Sequence, residues 1–280
     1  MQHIYVNFKR FDVPSQMGGV NRISDIADYS STIIPLCAPK LEKYRSSCEF
    51  VQFYPESQIP SAVKAAKGSC IEIGCQSVFR QDVAVGGNFG AFTSNRPASA
   101  AKALGCSSVL IGHCEERNDK NELLALGGNT DRKLVNTILN KEVLAAQSRG
   151  LKVLYCVGEK DTELDEWDSV IREQLEIGLK GADLSTVVIA YEPVWSIGPG
   201  KTPAGKDYIT KVAKLIKSVI GPVPVVYGGG LKEANAEMLS SIEEIDGGLI
   251  ALTRFTGEIG FYPDEYIRIV ELYMNGKENK

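Results

Sequence analysis

Short apolar segments alternate with longer amphipathic segments along the whole chain. This alternation is typical of repeated strand and helix units around a parallel sheet. The pattern predicts eight strands, at residues 4–7, 31–38, 71–75, 107–112, 152–158, 186–192, 223–228 and 248–251.

Periodic helices fit between several of these strands. Residues 162–179 open with a threonine and acidic side chains, and residues 206–220 stop at Gly221 and Pro222, a pair that ends helices. Eight strands joined by helical crossovers indicate an α/β fold, a closed (β/α)₈ barrel, and barrels of about 250 residues commonly form one domain. We therefore expect a single domain over residues 1–280.

Charge and composition argue against several classes of partner. The formal net charge is −4, and no run of lysine and arginine indicates a nucleic-acid surface. No segment approaches the roughly 20 apolar residues of a membrane span. We expect a cytoplasmic protein that binds neither nucleic acid nor membrane.

The seven cysteines form an odd set without a Cys-x-x-Cys pair. This spacing argues against a disulfide framework or a zinc site, so we expect reduced thiols that mostly fill the core. No metal and no organic cofactor is implied.

The residues that follow the predicted strands form a coherent chemical set. In (β/α)₈ barrels the catalytic groups cluster at the carboxyl ends of the strands, so these positions are expected to face one pocket. They supply amide, cation, imidazole and carboxylate groups, together with backbone that can approach an anion: Asn7, Lys9, His113, Glu115, Glu192, Gly230, Ala251, Leu252 and Arg254.

The segment from 189 to 202 is the most informative part of the chain. An apolar strand ends on Glu192, and Pro193, Val194 and Trp195 lead into a short loop that contains Gly198 and Gly200. This arrangement suits a base beneath a loop that closes, because removing a carbon-bound proton requires a carboxylate taken out of water. Pro199 between the two glycines fixes one φ angle and removes one N–H, which predicts a stiffer loop tip.

Five motifs together resemble the triosephosphate isomerase family. They occur in family order across nearly the whole chain, at residues 6–9 (VNFK), 90–93 (GAFT), 111–117 (IGHCEER), 155–159 (YCVGE) and the Glu192 segment. The resemblance implies a TIM barrel and an aldose–ketose isomerase of carbohydrate metabolism, in glycolysis and gluconeogenesis, that acts on a small phosphorylated sugar through an enediolate.

The same resemblance implies a role for each residue. Glu192 carries a proton between adjacent carbons, neutral His113 polarises the carbonyl, and Lys9 steadies the negative charge of the substrate, as in the family's known mechanism. Asn7 adds a hydrogen bond, and Glu115 orients or neutralises Lys9. Each residue also has a simpler interpretation: a helix cap or ion-pair partner for Glu192, a core histidine for His113, a surface lysine for Lys9 and a structural ion pair for Glu115.

The phosphate site departs from the family pattern. The family holds the phosphoryl group with backbone N–H groups of the closing loop, of a serine after the seventh strand and of a glycine pair after the eighth. Gly198 lies in that loop, Gly230 replaces the serine, and Ala251 with Leu252 replaces the glycine pair. Either Arg254 and Thr253 compensate and a three-carbon substrate binds, or the pocket suits another phosphosugar such as a four-carbon erythrulose phosphate. Arg254 also has a simpler interpretation, as a rim residue paired outside the pocket.

Two further segments bear on assembly and size. The loop at 77–96 resembles the family's dimer loop, which implies a homodimer with Thr93 near Asn7 of the partner subunit. Glu116 stands where a basic residue is expected, which puts the family's interface pairing in doubt. The chain exceeds a usual barrel by about thirty residues, and we expect most of the excess in an insertion near 118–140, a surface feature or a cover for the pocket.

Two hypotheses from other functional classes remain open. One is a non-catalytic phosphosugar-binding protein on the same scaffold, and the other is an aldolase or lyase that uses a Schiff-base lysine. Retention of Asn7, Lys9, His113 and Glu192 argues against the first. Only Lys9 is placed for the second.

Overall fold

Eight parallel strands close into a barrel in the computed structural model, which describes residues 1–197 and 201–278. Each strand pairs with the next in sequence, and β8 pairs with β1 to complete the circle. The strands are β1 Gln2–Asn7, β2 Cys48–Tyr54, β3 Ile71–Gln76, β4 Ser108–Ile111, β5 Lys152–Val157, β6 Val187–Tyr191, β7 Val225–Tyr227 and β8 Gly247–Ile250. The predicted α/β barrel is confirmed.

Helices connect the strands on the outside of the barrel. They are α1 Tyr29–Leu41, α2 Ile59–Ala66, α3 Ala98–Ala103, α4 Cys114–Leu126, α5 Arg132–Ser148, α6 Trp167–Gly178, α7 Lys206–Ile220, α8 Glu233–Ser240 and α9 Pro263–Glu278. The bounds of α7 match the prediction. The predicted helix at 162–179 is divided, because a 3₁₀ segment over Asp161–Glu166 precedes α6.

The prediction of a second strand at 31–38 is wrong. These residues lie within α1, and the strand that pairs with β1 is β2, Cys48–Tyr54. A short apolar run does not by itself distinguish a buried strand from a helix face. The helical spacing is visible in the burial, since Ile33, Ile34 and Cys37 are buried whereas Leu36 between them is exposed. Polar residues in β2 interrupt the apolar pattern that would have predicted this strand. One of them, Gln52, is fully buried and accepts a hydrogen bond from Tyr54 Oη at 2.8 Å.

The strands separate two apolar cores. One fills the inside of the barrel and includes Tyr5, Phe53, Leu110, Leu154 and Leu249. The other lies between the sheet and the surrounding helices. Because successive side chains of a strand point to opposite faces, every strand except β3 contributes to both cores. The carboxyl ends of all eight strands reach the same rim.

The segment 118–140 covers most of α4, a short connection and the beginning of α5. Leu124 packs against the outer core, whereas Leu123 and Leu126 are exposed. That this segment is an insertion, and that residues 1–280 form a single domain, both stay predictions. None of the described helices is long and apolar enough to cross a membrane.

Closure of the barrel leaves no room for a side chain at Gly247. A Cβ atom there would lie 1.7 Å from the carbonyl oxygen of His3 in the paired strand, and a backbone atom cannot move aside. We expect Gly247→Ala to lower the free energy of unfolding by about 3 kcal/mol or more, or to prevent folding. Urea unfolding followed by circular dichroism measures the change.

Gly205→Ala provides the matched control, because a Cβ atom at Gly205 meets no atom of residues 1–197 or 201–278 within 4 Å. Gly205 is the N-cap of α7 with φ −77°, so its replacement is expected to cost less than about 1 kcal/mol. Equal stability of the two variants would contradict the packing argument.

Candidate active site

Glu192 directly follows β6 and is held among the ends of three neighbouring strands. Its backbone N–H donates to the carbonyl of Val157 at 2.8 Å. A Cβ atom at Gly158 would lie 1.8 Å from the carbonyl oxygen of Glu192, and one at Gly228 would lie 2.6 Å from its Cγ. Glycines at the ends of β5 and β7 therefore make the space that the acid occupies.

The carboxylate of Glu192 is only 2% exposed. Its Oε2 accepts a hydrogen bond from the backbone N–H of Cys114 at 3.0 Å, and its Oε1 lies 3.2 Å from Nε2 of His113. Burial raises the pKa of Glu192 above its usual value, opposed by the neighbouring His113 and by the N–H of Cys114. A raised pKa makes the carboxylate a stronger base, as proton abstraction from carbon requires.

His113 lies between the end of β4 and the start of α4. Its Nδ1 accepts a hydrogen bond from the backbone N–H of Glu115 at 3.2 Å, so the side chain serves as the N-cap of α4. An acceptor Nδ1 carries no proton, which places the ring proton of the neutral imidazole on Nε2. Nε2 faces Glu192, so a neutral donor and a buried acid lie side by side.

Asn7 and Lys9 hold their positions through contacts with β3. The backbone N–H of Lys9 donates to Oδ1 of Asn7 at 3.0 Å, and Nε2 of Gln76 donates to the same oxygen at 3.2 Å and to the carbonyl of Lys9 at 3.0 Å. These bonds stabilise the left-handed backbone of Lys9, whose φ is 40°. Sequence reasoning missed Gln76, although its place as the last residue of β3 was an available signal.

Glu115 forms an ion pair with Nζ of Lys9. Burial alone would raise the pKa of Glu115, but the hydrogen bond and charge of Lys9 lower it below its usual value. The carboxylate therefore stays ionised and directs the lysine toward the pocket.

A cavity of about 130 Å³ lies between these groups. It is lined by Asn7, Lys9, Gln76, Ser77, Leu110, His113, Glu115 and Glu116. Residues from the ends of β1, β3 and β4 thus meet at one opening, and His113 of this lining lies 3.2 Å from Glu192. The remaining residues that were expected to face the same pocket are not part of this cavity's lining: Glu192, Gly230, Ala251, Leu252 and Arg254.

Arg117 is a second residue that sequence reasoning left without a role. The guanidinium is buried and donates to the carbonyls of Gly112 at 2.8 Å and Cys156 at 2.9 Å. It also donates to Oη of Tyr155 at 3.1 Å. Arg117 thereby fixes the end of β4, and with it His113, against the end of β5.

Trp195 is tied to the barrel by a buried acid. Oε1 of Glu159 accepts hydrogen bonds from Nε1 of Trp195 at 2.7 Å and from the hydroxyls of Tyr191 at 2.9 Å and Tyr208 at 3.1 Å. Burial raises the pKa of Glu159, opposed by these three donors. The chain just before residue 198 is therefore firmly anchored to β6 and α7.

The expected phosphate-binding residues lie on the rim after β7 and β8. Gly230 adopts φ 94°, and within residues 1–197 and 201–278 no acceptor faces the N–H groups of Gly229, Gly230 or Leu252. Free N–H groups of this kind form a cradle for an anion. Ala251 is half-buried beside them. Gly198 lies outside the described residues.

The side chain of Arg254 makes its contacts outside that cradle. Its guanidinium pairs with Oε1 of Glu265 at 2.6 and 2.8 Å and stacks on the ring of Tyr262 at 3.7 Å. Thr253 also donates to Glu265, at 2.8 Å. The structure thus shows the rim pairing that was the simpler of the two interpretations.

Among the described residues, one group of three side chains has donor atoms close enough together to bind a metal. These are His113, Cys114 and Glu192, whose ligand atoms lie within 4.8 Å of one another.

Comparison with known proteins agrees with this geometry. The profile of the family described as triosephosphate isomerase matches residues 27–258. A triosephosphate isomerase of Chlorobium luteolum is 38% identical over 219 residues, which are 73% of this chain and 79% of the relative. One of Geobacter metallireducens is 34% identical over 243 residues, 81% and 86% of the two chains. The crystal structure of triosephosphate isomerase from Bartonella henselae superposes with a TM-score of 0.71 at 25% identity, covering 98% of this chain and 99% of that one.

The chain belongs to the triosephosphate isomerase family. It is an isomerase that interconverts an aldose phosphate and a ketose phosphate. The family resemblance read from the five motifs is therefore confirmed.

Within this isomerase, Glu116 is part of a buried charged cluster behind His113. Its Oε2 accepts from the N–H of Gly112 at 2.6 Å, and its Oε1 accepts from Lys120 at 2.8 Å and from the hydroxyl of Ser77. Glu142 lies 3.2 Å from the same lysine. The residue that departs from the expected basic side chain thus supports the backbone before His113.

Two buried carboxylates share the single positive charge of Lys120, so the pair retains one proton. Burial and then the charge of Glu116 raise the pKa of Glu142 to about 8. The charge of Lys120, working against burial, lowers the pKa of Glu116. We place the shared proton on Glu142.

This proton predicts a pH-dependent stability. Between the ordinary value of 4.5 and about 8, the unfolded chain has released the Glu142 proton while the folded chain retains it, so rising pH favours unfolding. Glu142→Gln mimics the protonated form and is expected to raise stability at pH 8 by on the order of 1–2 kcal/mol, with little change at pH 4. Urea unfolding at a series of pH values measures the difference.

Glu116→Gln is the contrasting variant. It removes the ionised partner of Lys120 and is expected to destabilise the fold at neutral pH. A gain from Glu142→Gln that does not depend on pH, or an equal gain from Glu116→Gln, would contradict the assignment of the proton.

Proposed function

We propose that this enzyme interconverts D-glyceraldehyde 3-phosphate and dihydroxyacetone phosphate through an enediolate. The observation that carries the proposal is the contact between a fully buried acid and a neutral imidazole, with Glu192 Oε1 3.2 Å from Nε2 of His113. A base and a hydrogen-bond donor side by side suit a substrate with adjacent carbonyl and hydroxyl carbons. Lys9 and Asn7 at the same opening support the binding of an anion.

In this mechanism Glu192 removes a proton from the carbon beside the carbonyl. The Nε2–H of His113 donates to the oxygen that becomes negative, and Lys9 offsets the charge of the enediolate and phosphate. Glu192 then returns the proton to the neighbouring carbon. The hydrogen bond from His113 strengthens as charge develops, so it acts mainly on the transition state.

For the phosphate we propose the rim after β7 and β8, together with Gly198 of the loop. The N–H groups of Gly230 and Leu252 support this placement because they have no acceptor among the described residues. Ala251 contributes its backbone in the same way. We expect Arg254 to act at longer range, since its guanidinium is paired with Glu265.

One feature favours a second substrate. Ala251 and Leu252 carry side chains where the family has glycines, which reshapes the pocket next to the phosphate. A four-carbon erythrulose phosphate is the alternative substrate.

Rates with both substrates distinguish these proposals. We expect turnover of D-glyceraldehyde 3-phosphate with a kcat/KM well above that of the erythrulose phosphates, measured spectroscopically. A higher value for an erythrulose phosphate would favour the alternative, and turnover of neither would overturn both.

Glu192→Asp shows whether turnover arises at this site. The shorter side chain withdraws the carboxylate by one methylene, so kcat is expected to fall by about a hundredfold while KM changes little. An unchanged kcat would exclude Glu192 as the base.

We further propose that the enzyme is a cytoplasmic homodimer, with Thr93 near Asn7 of the partner subunit. Support comes from the loop at 77–96, where Val85 and Phe89 expose large apolar side chains and Thr93 is exposed beside them. A groove of about 700 Å³ lies along the base of the same loop, lined among others by Val78, Phe79, Ser94, Leu123 and Leu124. All seven cysteines are free, which supports a reducing compartment.

Sedimentation tests the dimer. We expect twice the 30.5 kDa chain mass at micromolar concentration. Phe89→Asn is expected to shift the equilibrium toward monomer without unfolding the chain, because asparagine tolerates the φ of 51° at this position. Leu36→Gln removes an exposed apolar side chain on α1 and is expected to leave the mass unchanged. A wild-type monomer would contradict the proposal.

A further inference from the structure

Cys114 lies next to the candidate active site, between His113 and Glu115 at the start of α4. Its Sγ lies 3.8 Å from Nδ1 of His113, and its own backbone N–H holds Glu192. Burial and then the charge of Glu192 raise the pKa of the thiol to about 12, so the sulfur is protonated in the free protein. The reaction described above makes no use of this thiol.

A second observation at the same place points to a cation. Oε1 of Glu192 is completely buried. Although Nε2 of His113 lies 3.2 Å away, Oε1 forms no hydrogen bond with any described residue, whereas Oε2 of the same carboxylate accepts one. A buried carboxylate oxygen that accepts no hydrogen bond is costly unless a ligand completes it. In the proposed mechanism the substrate contacts Glu192 through a carbon-bound proton. When no substrate is bound, the same oxygen can accept a ligand of another chemical class, a metal cation.

The distances suit one small ion. Two ligands of a tetrahedral zinc ion, at about 2.0–2.1 Å for nitrogen and about 2.0–2.2 Å for oxygen, lie roughly 3.3 Å apart. Nε2 of His113 and Oε1 of Glu192 are 3.2 Å apart. The ligand atoms of His113, Cys114 and Glu192 all fall within 4.8 Å of one another, which is wider than the spacing around a bound ion, so we expect binding to draw the sulfur inward by rotation of the Cys114 side chain.

We propose that His113, Cys114 and Glu192 form a binding site for a thiophilic divalent cation, best matched by Zn²⁺, and that the bound ion inhibits the isomerase by competing with its substrate. Imidazole, thiolate and carboxylate together favour zinc over magnesium or calcium, which prefer oxygen ligands. Three protein ligands leave a fourth position for water. The neighbouring charge of Lys9 weakens the site and makes binding reversible.

Metal binding changes the protonation of two ligands without any redox step. The S–H bond of Cys114 breaks, its proton goes to solvent, and a sulfur–metal bond forms. The ring proton of His113 moves from Nε2 to Nδ1 through solvent, which ends the hydrogen bond from the N–H of Glu115. Both the base and the donor of the isomerase are then occupied, so inhibition and substrate binding exclude each other.

Cobalt tests the site directly in the full-length protein. Addition of Co²⁺ is expected to produce the near-ultraviolet thiolate-to-cobalt charge-transfer band at one equivalent, and dihydroxyacetone phosphate is expected to remove it. Cys114→Ser should abolish the band. Cys70→Ser, which changes a half-buried thiol at the opposite end of the barrel, should retain it. A band that survives Cys114→Ser, or that is lost with Cys70→Ser, would overturn the proposal.

Zinc inhibition gives the second readout, with the sugar phosphates followed by NMR so that no coupling enzyme meets the metal. Each variant is compared with its own metal-free rate. We expect inhibition that is competitive with substrate and reversed by a chelator. Mutation of a residue that only hydrogen-bonds to a metal ligand typically lowers metal affinity by about 10–100-fold. Cys114→Ser replaces a ligand itself, so it should raise the half-inhibiting Zn²⁺ concentration by at least about tenfold. Non-competitive inhibition, or equal sensitivity of the variant, would contradict the site.

A third measurement needs no variant. If Cys114 ligates the ion, Zn²⁺ protects its thiol from alkylation in the wild-type protein, as read by mass spectrometry of the peptide that carries it. Alkylation of Cys114 at the same rate with and without Zn²⁺ would exclude the sulfur as a ligand. This result does not depend on which sugar phosphate is the substrate.

Discussion

The active site depends on keeping the carboxylate of Glu192 out of water. A charged acid is buried only where the surrounding backbone leaves space and offers some compensation. Gly158 and Gly228 leave that space, the N–H of Cys114 supplies one hydrogen bond, and His113 supplies a polar neighbour. Because these residues come from the ends of four adjacent strands, β4 to β7, the acid exists as a base only after the barrel has closed.

Much of the fold was predictable, because buried parallel strands leave a simple apolar pattern. The second strand shows the limit of that pattern. The run at 31–38 is apolar enough for a strand but forms one face of the helix α1. The strand β2 contains the polar residue Gln52, which can be buried because its side chain accepts a hydrogen bond from Tyr54. Residues 52 and 54 share the outer face of β2 because they are two positions apart, so their pairing becomes visible only once the segment is known to be a strand.

The candidate catalytic residues could be proposed from the sequence for a different reason, since each follows a strand in a motif of recognisable spacing. The supporting residues carry no such mark. Gln76 reaches Asn7 and Lys9 across β2, and Arg117 joins the ends of β4 and β5 through backbone carbonyls. The metal ligands at 113, 114 and 192 are equally hidden, because the spacing that would suggest them is produced by the barrel and not by the chain order.

The left-handed backbone of Lys9 has a consequence for affinity. A non-glycine residue in this conformation costs about 1–3 kcal/mol, and here Asn7 and Gln76 maintain it without any ligand. Folding therefore bears the cost of setting the direction in which this side chain leaves the backbone, and the ion pair with Glu115 holds its ammonium group. An anion that binds here meets a cation that is already held in place. Less of the binding free energy is then lost to ordering a flexible side chain.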